Sequence, residues 1–175
     1  DYLYRASDLA TLSGNKYSKK RNHVNRFALE HPQYTFVPLD RSNIDAVYRF
    51  YRNQELPVDA NIATAEEERR QVFRILERYD DLPFEGAVLS APDTGIVAFA
   101  IGEVIGDTLY VHIEKMNHEV NGAGETINKL FAAEMMEKHG VTYVNREEDV
   151  NDEGLRKAKM SYHPEMLLKK YNLIF

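Results

Sequence analysis

Apolar side chains recur every three or four positions in the first half of the chain, the spacing that is typical of amphipathic helices. After a strand-like opening, DYLY, and a short helical turn, DLATL, this spacing predicts a basic helix from about Lys16 that ends before Pro32. A strand is predicted over residues 34–38, followed by helices that begin near Ser42 and Thr64. The first half is therefore mainly helical.

The period changes to two in the middle of the chain. Residues 86–90, 96–103 and 108–115 are rich in β-branched and aromatic side chains, and the turn sequences PDTG and IGD separate them. Two consecutive hairpins of this kind predict a three-stranded antiparallel meander.

A helix is predicted next, from about Gly124 to His139, where Gly140 stops it. A strand at 141–145, a helix at 153–160 and a last run at 167–175 follow. From residue 34 the predicted order is β-α-α-β-β-β-α-β-α-β, an α/β (α+β) arrangement. A meander that enters a crossover helix and then a parallel strand makes a mixed sheet, whose natural ligand site lies where strand ends diverge beside the helix start.

The charge balance limits what the chain is expected to bind. It has 22 Lys and Arg against 28 Asp and Glu, a net charge of −6, so nucleic acid is expected to contact only a local basic patch. The absence of cysteine excludes disulfides, thiolate metal sites and a cysteine nucleophile, and it fits an intracellular location. No apolar run approaches the ~20 residues of a membrane span. The start at Asp1 suggests a fragment of a longer protein.

Two glycines stand where the meander gives way to the helix, in the sequence NGAG. These residues are Asn121, Gly122, Ala123 and Gly124. The unpaired amides at a helix start would suit a phosphate, and the glycines would let the backbone approach it closely. The alternative is that Asn and Gly only turn the chain.

Polar side chains precede that loop on the last strand of the meander. The period of two predicts that Tyr110, His112 and Glu114 share one face, opposite Val111 and Ile113. Glu114 or His112 could take a proton from an attacking group, and the alternative is a face whose hydrogen bonds are all satisfied. No third ligand stands at a helpful spacing, so no metal site is predicted.

A run of basic residues without an acid, KYSKKRNHVNRF at 16–27, contrasts with the acidic balance of the whole chain. It contains Lys16, Lys19, Lys20, Arg21 and Arg26. On a helix these side chains cover a broad face that could meet an RNA backbone or anionic lipid. The alternative is an ordinary solvated face.

A second concentration of charge follows the next strand, in NREEDVNDEGLRKAKMSYHP at 145–164. Its helix carries Arg156, Lys157 and Lys159, and Tyr162 comes just after it. That tyrosine could donate a proton to a leaving group, or its ring could fill the core.

The order of elements resembles the GNAT N-acyltransferase fold, in which the loop and helix after the fourth strand hold the pyrophosphate of the carrier. That place falls here to residues 121–124. The chain departs from the fuller signature of that family, because Glu119 and Val120 stand where an Arg or Gln precedes the first glycine. This departure disfavours acetyl-CoA as the donor.

More closely, four motifs together resemble an uncharacterised bacterial family related to the C-terminal domain of phosphatidylglycerol lysyltransferase. They are KYSKKRNHVNRF, HIEKMN, VNREEDVNDEGLRKAKMSYHP and LLKKY. The resemblance implies a GNAT-like domain at 34–175, behind a strand tail and basic connecting helix at 1–33. It also implies an N-terminal GNAT-like half of the same protein as partner, and a cytoplasmic location at the inner face of the membrane. Characterised relatives move an amino acid from aminoacyl-tRNA to a lipid or peptidoglycan precursor.

Combined with the site residues, the resemblance implies acyl or aminoacyl transfer by direct attack, with acyl-CoA or aminoacyl-tRNA as co-substrate. The phosphates of the carrier would lie on the amides of residues 122–125, up to Glu125, with the cations at 156–159 adding positive charge. Glu114 or His112 would serve as base and Tyr162 as acid. Two alternatives stay open: an acetyl-CoA-dependent N-acetyltransferase, and a non-catalytic binding half-domain whose basic helix docks RNA, membrane or a partner.

Overall fold

A computed structural model describes residues 1–54 and 62–171 of the chain, with side chains from residue 65 onward in the second range. The strands are β1 (Tyr2–Arg5), β2 (Thr35–Pro38), β3 (Glu85–Ala91), β4 (Gly95–Ile105), β5 (Thr108–Met116), β6 (Tyr143–Asn145) and β7 (Met166–Leu167). The helices are α1 (Ala6–Thr11), α2 (Ser18–Glu30), α3 (Ile44–Arg52), α4 (Ile62–Glu77), α5 (Ala123–His139) and α6 (Glu153–Met160). From residue 34 onward, this order confirms the predicted α+β arrangement.

All seven strands form one mixed sheet, in the order β2-β3-β4-β5-β6-β1-β7. The meander β3-β4-β5 is antiparallel, and β6 pairs with β5 in parallel, with Leu109 opposite Val144. Helix α5 is the crossover between those two strands. The predicted mixed sheet is confirmed, and β5 and β6 are the neighbours beside which α5 begins.

Helices cover both faces of the sheet, and the alternation of side chains along the strands assigns each face. Ala98 and Ala100 of β4 belong to the core formed with α1, α2 and α5. Phe99 and Ile101 belong to the core formed with α3 and α4. The small side chains allow α5 to lie close to the sheet, while the large ones fill the other layer.

A β-bulge at His112 breaks the alternation along β5. The register changes from Ile101 opposite Ile113 to Gly102 opposite Val111, which leaves His112 as an extra residue. Val111 accordingly lies in the core beneath α5, whereas Ile113 lies in the core beneath α3 and α4. The prediction that His112 and Glu114 share one face, opposite Val111 and Ile113, is therefore wrong.

The first residues of the chain lie inside the same sheet as the rest. Strand β1 pairs with β6 on one side and with β7 on the other, and Leu9 of α1 is fully buried in the core with α5. Strand β1 and helix α1 thus share the sheet and the core of the residues that follow them. The division of the chain at residue 33 stays a prediction. The last predicted run, 167–175, contributes only the end of β7 to the sheet, and residues 172–175 lie outside the described part of the chain.

Candidate functional site

A buried group of polar side chains lies between β5, β6 and the start of α5. The Glu114 carboxylate on β5 accepts a hydrogen bond from Nη2 of Arg146, at 2.8 Å, on its Oε1 atom. Its Oε2 atom accepts one from the side-chain amide of Asn128, at 3.2 Å. Only 11% of the Glu114 side chain and 13% of the Arg146 side chain are exposed, so this ion pair is largely shielded from water.

Two tyrosine rings flank the Arg146 guanidinium. Its central carbon lies 5.0 Å from the centre of the Tyr162 ring and 5.9 Å from that of the Tyr4 ring. Although burial favours the neutral form, the charge of Glu114 keeps the pKa of Arg146 above its ordinary value. Burial raises the pKa of Tyr162, so its phenol is a weaker acid than usual.

Two buried polar atoms in this group have no hydrogen-bond partner among the described residues. They are Oδ1 of Asn128 and Nη1 of Arg146. Asn128 is 4% exposed, so bulk water does not satisfy it. Because buried polar atoms are nearly always paired, unpaired donors and acceptors here mark a position where water or a polar ligand group would bind.

Helix α2 contributes a cation to this group. The ammonium of Lys20 lies 3.6 Å from the Glu125 carboxylate and 4.2 Å from the centre of the Tyr162 ring. Burial lowers the pKa of Lys20, although Glu125 opposes that shift. Nδ1 of His23 also lies 2.9 Å from the same carboxylate. For Glu125, burial alone would raise the pKa, but the hydrogen bond with His23 and the nearby charge of Lys20 lower it.

The turn before α5 is packed against α2. Gly122 has φ +78°, and a Cβ added there would overlap the backbone carbonyl of His23. The amide of Ala123 donates to the carbonyl of Val120, at 3.2 Å. Gly122 is therefore needed where the backbone of α2 approaches, a reason that the sequence pattern did not indicate.

Gly124 faces a side chain of the sheet, since a Cβ there would lie 3.2 Å from the sulfur of Met116. The carboxylate of Glu125 belongs to the first turn of α5, at the positive end of the helix dipole. Phosphate binding by residues 121–125 stays a prediction. It would require α2 or the Glu125 side chain to move aside.

His112 lies apart from Glu114 and between two other carboxylates. Its Nδ1 atom lies 2.7 Å from Glu147 and its Nε2 atom 3.1 Å from Glu103. The hydrogen bond with Glu147 raises the pKa of His112 despite partial burial. Both ring nitrogens are therefore engaged, which leaves no free nitrogen to act as a base in this state.

Two of the three cations on α6 are bound within their own segment. Arg156 pairs with Asp149, at 2.8 Å. The ammonium of Lys159 donates to the backbone carbonyls of Arg146 and Glu148, at 2.6 Å each, and burial lowers its pKa to about 8. Lys157 is exposed. Arg156 and Lys159 thus hold the loop between β6 and α6, and their role in carrier binding stays a prediction.

The basic residues of α2, and Lys16 just before it, differ from one another in their partners. Lys16 lies 3.4 Å from Asp8, Arg26 lies 2.7 Å from Glu30, and Arg21 donates to the carbonyl oxygens of Leu12 and Gly14. Lys20 faces Glu125, and Lys19 is exposed without an acidic partner in the described ranges. The predicted anionic-surface residues therefore do not form one uncommitted face, and polyanion binding there stays a prediction.

The structure brings together Glu114, Tyr162 and Glu125 of the predicted site, and it adds three groups that the sequence analysis did not assign to it. Arg146 and Asn128 had no local signal, because their relation to Glu114 depends on the pairing of β5 with β6 and on the rotation of α5. Lys20 did carry a local signal, since it belongs to the basic run at 16–27. Its direction toward the interior, however, depends on how α2 packs against α5.

Comparison with known proteins gives the relatives of this chain. The model of the family described as "Phosphatidylglycerol lysyltransferase, C-terminal" matches residues 1–174. A conserved protein of unknown function from Bacteroides thetaiotaomicron VPI-5482 is 36% identical, with a TM-score of 0.82 over 95% of this chain and 56% of that one.

Two more distant structures share the fold. L-PGS from Bacillus licheniformis is 18% identical, with a TM-score of 0.59 over 93% of this chain and 55% of that one. An aminoglycoside acetyltransferase from an uncultured soil metagenomic sample is 14% identical, with a TM-score of 0.51 over 81% of this chain and 95% of that one. The chain spans about half the length of the first two proteins. Within the described residues, no helix has both the length and the apolar character needed to cross a bilayer.

Proposed function

The chain belongs to the family of phosphatidylglycerol lysyltransferase C-terminal domains, and from that premise we propose that it is the transferase half of a longer protein. It moves an acyl or aminoacyl group from an activated carrier, such as aminoacyl-tRNA, to an amine or hydroxyl acceptor, such as a lipid or envelope precursor. A GNAT-like half that precedes it in the same protein is its partner, and it works in the cytoplasm at the inner face of the membrane.

The observation that supports this proposal best is the set of unpaired polar atoms around the ion pair of Glu114 and Arg146. An aminoacyl ester has an ammonium, which needs acceptors, and a carbonyl oxygen, which needs a donor. Oδ1 of Asn128 is an unpaired acceptor, and Nη1 of Arg146 is an unpaired donor. The unmet groups thus match both ends of such a ligand.

In the proposed reaction, the acceptor nitrogen or oxygen attacks the carbonyl carbon directly. Negative charge then develops on the carbonyl oxygen, where the guanidinium of Arg146 stabilises it. The bond from the carbonyl carbon to the carrier oxygen breaks, and the new bond to the acceptor remains. The acceptor loses its proton to Glu114, and Tyr162 donates a proton to the departing carrier oxygen. No covalent intermediate with the protein is involved.

The carrier is an anion, and Lys20 is a cation beside the first turn of α5. Its ammonium lies between Glu125 and the ring of Tyr162. A phosphate that displaced the Glu125 side chain would gain Lys20, His23 and the amides of Gly124 and Glu125 as partners. Lys19, which is exposed on the same helix, would extend this contact along a nucleic-acid backbone.

One observation favours the second candidate, a non-catalytic binding half-domain. Helix α2 lies directly on Gly122, so the turn before α5 is occupied by the protein itself. A binding module would keep α2 in this position and would use its exposed cations alone. Its binding would fall steeply with salt and would not depend on Glu114 or Tyr162.

The test uses the full-length protein, aminoacyl-tRNAs labelled on the amino acid, and vesicles that contain phosphatidylglycerol. Replacing Glu114 by Gln keeps its shape but removes its capacity to accept the proton, so we expect transfer to fall by about 100-fold or more. Glu119→Gln is the matched control, because Glu119 is exposed two residues before the turn. Binding of tRNA should change little in either variant.

Urea unfolding of both variants separates a lost chemical step from a lost fold. Full transfer by a folded Glu114→Gln variant would remove Glu114 from the mechanism. Absence of transfer by the unmodified protein with every aminoacyl-tRNA, together with salt-dependent tRNA binding, would favour the binding module.

A further inference from the structure

Exposed apolar side chains are concentrated in one short part of the chain, from just before α6 to a few residues after β7. Of the ten large hydrophobic side chains that are exposed in the described residues, seven lie between residues 150 and 171. Five of them define the C-terminal apolar face: Leu155, Met160, Leu167, Leu168 and Tyr171. Met166 is not included, because consecutive side chains of a strand point to opposite sides of the sheet. Exposed apolar groups that cluster in this way usually mark an interaction surface.

Helix α6 has almost no internal partner. Lys159 is its only buried residue, and Leu155 and Met160 are 38% and 45% exposed. Apolar side chains of a helix normally face a partner. Within the described residues, these two side chains keep more than a third of their surface exposed.

Both segments of the C-terminal apolar face are anchored on the same strand. The hydroxyl of Tyr4 in β1 donates to the carbonyl of Lys159, next to Met160, at 2.8 Å. Leu167 of β7 pairs with Tyr2 of β1. Cross-strand partners share a side of the sheet, so the Leu167 side chain lies on the same side as the Tyr2 and Tyr4 rings, and the Tyr4 hydroxyl holds α6 on that side. Strand β7 is also the last strand of the sheet in the described part of the chain, where no other strand pairs with its outer edge.

The backbone on either side of α6 is strained. Glu147, Val150, Asn151 and His163 all have φ between +44° and +63°, and they are four of the five non-glycine residues with positive φ in the described ranges. A β-branched residue such as Val150 rarely adopts this conformation. Strained backbone persists where packing against neighbouring groups holds it in place. Within this chain, α6 packs against few such groups.

We propose that the C-terminal apolar face docks the preceding half of the longer protein, a partner that the proposed function already assumes. The chain spans only 55–56% of the two relatives described above, so a second body of similar size is available in those proteins. The docking half presents an apolar centre to Leu155, Met160 and Leu167. It presents carboxylates to Lys157 and Lys169, which are exposed and have no acidic partner among the described residues.

The open edge of β7 favours a protein over a lipid surface as the occupant. Unpaired backbone groups at a sheet edge need hydrogen-bond partners, which a polypeptide supplies and acyl chains do not. A covalently linked half also has an effective concentration that a second copy of the chain does not reach in dilute solution.

The absence of cysteine in this chain makes the proposal testable by thiol labelling of the full-length protein. Single cysteines replace Met160 or Leu167, and Ile105→Cys is the control, because Ile105 is 56% exposed at the hairpin between β4 and β5. Maleimide modification of each introduced cysteine is followed by peptide mass spectrometry and normalised to the rate in urea. We expect Met160→Cys and Leu167→Cys to react at least ~10-fold more slowly than Ile105→Cys.

Equal rates at the three positions would overturn the proposal. So would protection that disappears on dilution, which would identify a second copy as the occupant, or protection that appears only with phosphatidylglycerol vesicles. If Leu167→Cys lowers stability in urea, Tyr171→Cys replaces it, because Tyr171 is 77% exposed. Labelling requires no turnover, so an inactive protein with a protected face would refute the proposed reaction and keep this interface.

Discussion

Arg146 and Glu114 are opposite charges that lie largely out of water. Removing two such charges from water costs several kcal/mol each, and their attraction repays this only when both are present and the remaining polar atoms are bonded. Here Nη1 of Arg146 is unpaired, as is Oδ1 of the neighbouring Asn128. The site therefore contributes less to stability than a fully bonded network, which is the compromise expected where a ligand is to be received.

The energetic dependence of these two charges on each other can be measured directly. Arg146→Met leaves Glu114 buried without its counter-charge, so we expect a loss of about 3–5 kcal/mol in the free energy of unfolding. The double variant Arg146→Met/Glu114→Leu removes both charges and should lose less than the sum of the two single variants. The measurement is urea unfolding of the two single variants and the double variant in a double-mutant cycle.

Strictly additive losses would mean that the ion pair contributes nothing to folding. Arg26→Met serves as the control for loss of a cation at the surface, since Arg26 pairs with Glu30 on the exposed side of α2. That pair should be worth less than about 1 kcal/mol.

At the scale of single residues, sequence patterns predict a site role only for residues whose immediate neighbours in the sequence indicate one. Glu114 was predicted from its place on the strand that precedes a turn, and the structure puts it beside Arg146 and Asn128, while its catalytic role stays a prediction. His112 was paired with it on the assumption of unbroken alternation, which the bulge between Ile101 and Gly102 invalidates. A bulge depends on how two strands pair, and a single strand carries no pattern that reveals it.

Among the elements, α5 was predicted best because both its ends have chemical markers. Its C-terminus is followed by Gly140 in the left-handed conformation, with φ +67°, and its start follows an Asn-Gly turn. The relation of α5 to α2 had no such marker. It arises because Phe27 of α2 is fully buried in the core shared with α5, which brings the backbone of α2 onto Gly122.

This contact between α2 and the turn before α5 predicts a difference between two glycine substitutions. Gly140→Ala introduces only the cost of a left-handed alanine, about 1–2 kcal/mol, because a Cβ at Gly140 meets nothing within 4 Å. Gly122→Ala carries the same backbone cost and also drives a methyl group into the carbonyl of His23. We therefore expect a clearly larger loss of unfolding free energy for Gly122→Ala, measured by urea unfolding.

The two glycines have similar φ values, +78° and +67°, so their difference isolates the packing of α2. Equal losses would mean that α2 is not held against the turn in solution. The start of α5 would then be open to an anion once the Glu125 side chain moved aside.

At the scale of the whole molecule, the order of strands and helices was sufficient to predict the mixed sheet. A ligand site beside the start of α5 stays a prediction. The same order does not determine what fills that site. Helix α2 precedes the GNAT-like elements in sequence, yet it inserts Lys20 and His23 beside Glu125 at the start of α5. Long-range packing of this kind depends on the complete core, so no window of sequence reports it.

The arrangement of α2 predicts which carrier the molecule rejects. A single tRNA phosphate could take the place of the Glu125 side chain, but the pyrophosphate of acetyl-CoA would also need the amides of Gly122 and Ala123. There the α2 backbone lies on Gly122, and the amide of Ala123 is already bonded to Val120. A ligand with a Kd of about 10 µM would add about 2.7 kcal/mol to stability at ~1 mM. For a chain of 175 residues this corresponds to a rise in Tm of roughly 5–10 °C.

We expect no such rise with acetyl-CoA in thermal unfolding of the full-length protein, whereas an acetyltransferase of the same fold, treated in parallel, should show one. A concentration-dependent rise in Tm would mean that α2 and Glu125 yield to a pyrophosphate, and it would make the acetyl-CoA-dependent N-acetyltransferase the better account of this site.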